Sequence, residues 1–445
     1  MGIRRAIGEK TRCGLLCWVV FFFLGSFEPV YSASSVSSQE ATEALNLLVQ
    51  QFLLSNSEQQ SQTFLKEILG HQGASIRRLE KLIRSGGLYP PDPPVGSLHH
   101  SINVGGHAMS YALYVPKSYN PASSYPLVVC LHGAGFVGDA YIERWVSRLE
   151  EKMLILCPTI GAGAWWSSLG EALVMRALES VLLKYHVDPD RIFLTGMSNG
   201  GIGAYLVGIF HSDRFAAIAP MAAGIPDEIF PYLKNFSTTG LYIIHGEKDQ
   251  VMPVALSRKV SNYLKNEAIP HTYREHDKEH PMAGGHFFPK DELPALIDWL
   301  HRQQRISDPA KVVSVRDKTH LMPYFWTEIN ETSGKIADIQ RSIFENEDVE
   351  LVKAGAFPFL IAEVEGNHVR IDSSRVKKAT LFFNDRLIDF SKSVIITAKG
   401  RTLFEGKLTE STAFLLGEAK RRKDRNSFYT ASVEIDLPEA APKGK

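Results

Sequence analysis

Charge of one sign is missing from this chain: 49 lysines and arginines face 49 aspartates and glutamates over 445 residues, a formal net charge of zero. A polyanion binder needs a basic surplus, so nucleic acid is not expected as a partner. Cysteine is scarce, with four residues in all. Cys13 and Cys17 fall near the amino terminus, which leaves Cys130 and Cys157 at the ends of the apolar runs 127–131 and 153–157. Neighbouring strands seldom offer bridging geometry, so two buried free thiols are expected. No apolar run near the amino terminus is long enough to span a bilayer comfortably; residues 15–24 are too few. That run follows Arg4, Arg5, Lys10 and Arg12 and precedes Ser32 and Ala33, the layout of an export signal over 1–32. A secreted or periplasmic protein is implied, without membrane attachment once the signal is removed. Cys17 follows Leu16 rather than a small residue, which argues against a lipid anchor there. The histidines between 270 and 288 lack His-Glu-x-x-His spacing, so a zinc hydrolase is not indicated, and no metal or cofactor is expected.

Four regions follow from the remaining pattern. In 33–97, Leu45, Leu48, Val49, Phe52 and Leu53 recur at helical spacing, as do Ile76, Leu79, Leu82 and Ile83. A helical pair covering a face of the main domain is expected, ending in a Gly/Pro-rich linker at 86–97. From 98 to 304, strand-like runs at 111–115, 127–131, 153–157, 192–195, 216–219, 241–244 and 272–275 alternate with helical stretches. Such alternation predicts an α/β fold with a mostly parallel sheet and helices on both faces. Functional residues then belong beyond the carboxyl ends of the strands. From 305 to 445 the pattern changes to short strands, including 324–329, 336–339, 360–364 and 379–383, with one helical stretch at 411–422 and a Lys399-Gly400 hairpin turn. This predicts a separate β-rich, sandwich-like domain, either a polymer-recognition module or a covering one. Asn235-Phe236-Ser237 and Asn330-Glu331-Thr332 match glycosylation acceptors.

The chain is organised around 191–201. A β-branched and aromatic run feeds Gly196-Met197-Ser198-Asn199-Gly200, and an apolar helical stretch follows. That is the strand, sharp turn and helix of a nucleophile elbow, with Ser198 at its apex. A serine hydroxyl needs a base to take its proton and an acid behind the base. Asp249, in the polar turn after the run 241–244, suits the acid; Glu247 is the alternative. Among His271, His276, His280 and His286, only His286 lies after the last strand in a glycine loop, Gly284-Gly285-His286, and it is the expected base. The oxyanion donors should be the N–H of Asn199 and one from Leu131-His132-Gly133-Ala134-Gly135, with Ala134 favoured. Trp165 and Trp166, adjacent in a post-strand loop, are candidates to line a sugar or acyl site.

Together, 111–116, 126–133, 187–201 and 245–249 resemble secreted α/β-hydrolases. Within that superfamily they are similar to the esterase, polyhydroxybutyrate-depolymerase and feruloyl-esterase-like group, which overlaps prolyl-oligopeptidase-like serine hydrolases. The resemblance implies hydrolysis through a serine acyl-enzyme, with Ser198, Asp249 and His286 as the triad. The expected substrate is an acyl ester, on a small molecule or a polysaccharide. Two rival readings remain open at this stage: a peptidase or amidase using the same triad, and a non-catalytic binding protein on a hydrolase scaffold. No β-propeller segment precedes the hydrolase region, as true prolyl oligopeptidases carry.

Overall fold

A computed structural model describes residues 38–87, 89–149, 152–340 and 347–438, so the expected export signal lies outside the described residues. Its centre is an eight-stranded sheet. The strands are β1 (Gly96–Val104), β2 (His107–Val115), β3 (Tyr125–Leu131), β4 (Leu154–Pro158), β5 (Val187–Met197), β6 (Ala217–Met221), β7 (Gly240–Gly246) and β8 (Thr272–His276). They lie in the order β1-β2-β4-β3-β5-β6-β7-β8. From β4 onward every pairing is parallel, while the β1–β2 hairpin is antiparallel and joins β4 antiparallel. β1 begins at Gly96, so the expected linker is shorter than 86–97 and gives way to an edge strand.

Alternation along the buried strands sends side chains to two helical layers. Leu127, Val129 and Leu131 of β3 face one side with Leu194 of β5, Leu173 of α5 (Ser168–Lys184), Ala204 of α6 (Asn199–His211) and Val260 of α7 (Ala255–Asn266). Val128 and Cys130 face the other, against Trp145 of α4 (Gly138–Leu149) and Leu296 of α8 (Leu293–His301). Cys130 and Cys157 thus stand on neighbouring strands, buried and unbridged. Burial and the adjacent Cys157 thiol push the Cys130 thiol up.

After α8 the chain builds two further sheets. One orders β10 (Thr327–Thr332), β13 (Val376–Phe383) and β16 (Ala431–Asp436). The other runs β15 (Arg401–Gly406), β14 (Val394–Ala398), β12 (His368–Ser374), β11 (Phe359–Glu365) and β9 (Lys311–Val315). Ile329, Leu381 and Val433 from the first sheet share a core with Leu360, Val369 and Ile396 from the second, which makes the expected sandwich. Lys399 and Gly400 both have positive φ, 49° and 74°, as a tight two-residue hairpin turn requires. Residues 336–339 are not a strand. Ala337 bonds Lys318 and Ala356, and Ile339 donates to the Asp317 carboxylate, so irregular loops supply their partners.

The amino-terminal arm also differs from expectation. It has three helices, α1 (Ser38–Leu54), α2 (Glu58–Gly70) and α3 (Ile76–Arg84), and they pack on α9 (Thr412–Arg422) of the carboxyl-terminal region. Leu45, Val49, Ile68 and Leu79 meet Leu415, Leu416 and Ala419, so the arm completes a four-helix cluster. Asn235 is fully buried: its Nδ2 donates to Ile209 and Val315 carbonyls and its Oδ1 accepts from the Val315 N–H. It is a cross-brace, and glycosylation there is corrected to impossible in the folded chain; Asn330 is exposed.

A buried histidine ties α5 to the segment after β9. His320 Nδ1 lies 2.6 Å from Asp317 Oδ1 and its Nε2 3.0 Å from Glu171 Oε2, with its ring stacked on Phe210 at 3.6 Å. His211 and Gln340 also reach Glu171. Burial disfavours the imidazolium, but hydrogen bonds to Asp317 and Glu171 outweigh it and raise His320 to about 9. An unfolded histidine titrates near ~6.5. The folded pKa is the higher, so this stabilisation is complete below about pH 6.5 and is lost as pH rises through about 9. Urea midpoints at pH 7 and pH 9.5 are therefore expected to differ more in the wild-type protein than in His320→Gln. Equal pH dependence in the two would refute the charged assignment.

Candidate active site

Ser198 joins β5 to α6 with φ 59° and ψ −124°, a strained conformation for a residue with a Cβ. Its neighbours explain how the chain tolerates the turn. A Cβ on Gly196 would sit 2.1 Å from the Gly200 carbonyl oxygen, and one on Gly200 would sit 2.0 Å from that of Leu131. Only glycine lets strand and helix approach so closely. The Ser198 N–H donates to Met221 O at 3.0 Å, which fixes the apex at the carboxyl edge of the sheet. The N–H of Asn199 opens α6, where backbone donors lack intrahelical acceptors and the helix dipole is positive.

The loop after β3 lies against this apex. A Cβ on Gly133 would be 3.4 Å from Ser198 Cβ and 3.9 Å from its Oγ. Ala134, the expected oxyanion donor, follows it and is exposed. His132 stiffens the loop from inside. It is fully buried, its Nδ1 lies 2.9 Å from Gly133 O, and its Nε2 accepts the Ile160 N–H at 3.2 Å. Burial lowers its pKa, which favours the neutral ring that this acceptor role needs. Asn199 adds a second brace: its Nδ2 donates to Ala162 O at 3.0 Å. The turn at Ala162 and Gly163 has positive φ, 54° and 66°, and a Cβ on Gly163 would stand 3.2 Å from Asn199 Cβ.

Trp165 does not face a substrate. It is 1% exposed, its Nε1 donates to His132 O at 2.8 Å, and a Cβ on Gly203 of α6 would meet its Cβ at 2.4 Å. The indole is a wedge between the β3 loop and α6. Trp166 is half-buried; with Trp165 it borders a crevice of about 10 Å³ closed by Ile339 and Gln340. That is room for about one water molecule, so the expected sugar or acyl site is not found there.

Asp249 and His286 are brought together. The Asp249 side chain is fully buried in the turn after β7, and Oδ1 accepts the N–H groups of Val251 and Met252 at 2.9 and 2.8 Å. Oδ2 accepts from His286 Nδ1 at 2.7 Å. Glu247, the alternative acid, is exposed. Glycines again permit the approach: a Cβ on Gly246 would sit 2.2 Å from Gly285 O, and Gly284, with φ 56°, bridges to Asp249. Gly285 N–H donates to Lys248 O at 3.0 Å, which clamps the histidine loop onto the aspartate turn. Met197 pairs with Met221 and Met221 with Ile244, so β5 and β7 end at the same edge. Two strand spacings, about 10 Å, separate these two strand ends.

The remaining histidines are structural. His271 lies between Ser261 Oγ and Ile269 O, His276 Nε2 donates to Phe287 O, and His280 accepts the Met282 N–H. One residue was not singled out by sequence reasoning. His245, fully buried, places Nε2 3.1 Å from Asp249 Oδ2 and 2.9 Å from Met252 O, and Nδ1 2.6 Å from Ser257 Oγ. It gives the aspartate a second imidazole on the same oxygen. Its spacing, four residues before Asp249 at a strand end, is the signal that points to it.

Residues 102–289 match the Esterase family model, described as "Putative esterase". In sequence the chain is similar to "Probable feruloyl esterase C" of Aspergillus terreus, 28% identical over 163 residues, 34% of this chain and 58% of the relative. It is also similar to the bifunctional acetylxylan esterase/xylanase XynS20E of Neocallimastix patriciarum, 25% identical over 163 residues, 35% of this chain and 23% of the relative. The match thus spans less than two thirds of either relative. Among solved structures, a thermostable esterase aligns at 24% identity with a TM-score of 0.40, over 47% of this chain and 63% of that chain. Residues 102–289, the part that matches the Esterase family model, carry the strand order and serine turn of an α/β-hydrolase fold.

Proposed function

We propose that the protein is an exported serine hydrolase that cleaves carboxylic esters, with acetyl or feruloyl groups on a polysaccharide as the substrate class. One observation carries the reading: a partly buried Asp249–His286 hydrogen bond of 2.7 Å stands at the sheet edge where Ser198 is held at positive φ. Ser198 Oγ attacks the acyl carbonyl while His286 Nε2 takes its proton, and the alcohol leaves with that proton. Water then adds to the acyl-enzyme through the same imidazole, and the carboxylic acid and free Ser198 are restored. Asp249 fixes the Nδ1–H tautomer and stabilises the imidazolium. The N–H groups of Asn199 and Ala134 receive the oxyanion; losing one such donor typically costs ~2.7–4 kcal/mol of transition-state stabilisation. The substrate class follows the relatives, named for feruloyl and acetylxylan ester cleavage.

A fluorophosphonate probe tests the centre of this reading. Peptide mapping is expected to find the adduct on Ser198 alone, with prior incubation in a hydrolysable ester slowing labelling. An unlabelled protein, or an adduct on another serine, refutes it.

A further inference from the structure

A second cleft lies at the opposite end of α6 from Ser198. It has a volume of about 220 Å³ and is walled by α1, the end of α5, the start of β5 and the turn after α9. The length of α6 separates it from Ser198 by about 20 Å. Its walls are apolar: Leu53 and Leu54 from α1 face Leu182 and Leu183 from α5. Leu54 and Leu183 are 55% and 61% exposed, unusual for leucines that share one opening.

The charges of the cleft do not cancel. Lys423 is paired with Glu179 at 2.9 Å, and Asp424 is committed to Arg305 and Arg214. Two cations have no carboxylate within 4 Å among the described residues, although Glu58 acts on Lys420 from further away. Lys420 Nζ donates to Phe52 O, Ser55 Oγ and Ser61 Oγ. Arg425 donates through Nη2 to Val187 O and lies over the Tyr89 ring at 5.8 Å, while its buried Nη1 has no partner among the described residues. Arg425 lines the cleft without a carboxylate partner among the described residues, and a carboxylate entering there would give its guanidinium a charge-assisted hydrogen bond. Burial already lowers the Lys420 pKa, so a nearby negative charge would relieve that site too.

We propose that this cleft binds an amphipathic monocarboxylate, its head on Arg425 and its alkyl chain along the four leucines. The pairing of a mostly apolar wall with one or two placed polar groups is the general form of a small-molecule site. This inference is independent of the triad, because no residue of the cleft belongs to the active-site loops.

Titration calorimetry on the full chain with sodium octanoate tests it, with 1-octanol as the uncharged counterpart. Saturable binding of one octanoate is expected, with octanol at least tenfold weaker. Arg425→Met is expected to weaken octanoate tenfold or more and to leave octanol unchanged. Leu183→Glu, on an exposed position where folding is not at stake, places a negative charge at the mouth and is expected to weaken octanoate by a similar factor. Ester turnover should be unchanged in both variants, and the thermal midpoint unchanged in Leu183→Glu. A flat octanoate isotherm, equal binding of octanol, or variants within twofold of the wild type would overturn the proposal.

Discussion

Ser198→Ala is expected to lower kcat on a short-chain chromogenic ester by about 10⁶-fold, with KM and the thermal midpoint little changed, because members of such a triad act as a unit. His286→Ala should match it. Asp249→Asn should cost about 10⁴-fold, for a reason specific to this turn. Asp249 Oδ1 accepts two backbone N–H groups, so an asparagine keeps its carbonyl oxygen there and turns its amide nitrogen toward His286. That amide donates to Nδ1 and moves the ring proton to Nε2, the atom that accepts from Ser198 in the proposed mechanism. The backbone strain at residue 198 comes from the glycine contacts around it rather than from its hydroxyl, so the alanine variant should fold normally. Measured kcat for Ser198→Ala above 1% of wild type would mean that the acyl group is transferred elsewhere. The Asn variant separates the roles further: if it behaved like wild type, His286 would not depend on the aspartate for its tautomer.

What sequence made legible, and what it did not, divides along the range of the interactions. The elbow could be read because its constraints are local: Gly196 and Gly200 are needed by contacts within one turn and the adjacent strand. The meeting of Asp249 and His286 could be read because strand–helix alternation fixes which loops reach the carboxyl edge, and Gly284 and Gly285 mark a loop that must pass close to another. Trp165 could not: an aromatic pair in a glycine-rich turn looks the same whether it meets solvent or fills the gap beside Gly203, and only the fold decides. His245 was passed over because it closes an apolar strand, although its spacing to Asp249 points to it. The amphipathic faces of α1 and α3 predicted burial but not the partner, since α9 follows more than 300 residues later. β9 was missed because it is a five-residue edge strand with one neighbour, and 336–339 was read as a strand because Ala337 and Ile339 alternate like one while bonding to loops. Asn235 matched a glycosylation triplet, yet its amide is spent on the backbone of α6 and β9.

The second large effect is expected on stability, at the junction of the hydrolase domain and the carboxyl-terminal region. Arg305, 2% exposed in its side chain, donates to Asp190 Oδ1 at 2.9 Å, to Asp213 O at 2.8 Å and to Asp424 Oδ1 at 3.0 Å. Burial opposes ionisation of Asp424, but Arg305 and Arg214 hold its carboxyl well below the usual carboxylate range. Arg305→Met fills much the same volume and removes the charge, leaving buried Asp424 with the N–H groups of Asn426 and Ser427 and with Arg214, 3.9 Å away, as its remaining cation. Breaking a buried pair in this way typically costs about 3–5 kcal/mol. The pH dependence distinguishes this from a packing defect. In the wild type the folded pKa of Asp424 is depressed, so its contribution is present above about pH 4 and is lost as pH falls through the folded value. In Arg305→Met the carboxyl is no longer held ionised and takes up a proton on acidification, so the gap between variant and wild type in denaturant midpoint should narrow from pH 7 toward pH 4. Adding Asp424→Asn to Arg305→Met should recover part of the loss at pH 7, because the stranded charge is gone. A gap that stays constant with pH, and a double variant no better than the single, would assign the effect to lost packing of the guanidinium rather than to an unpaired buried carboxylate.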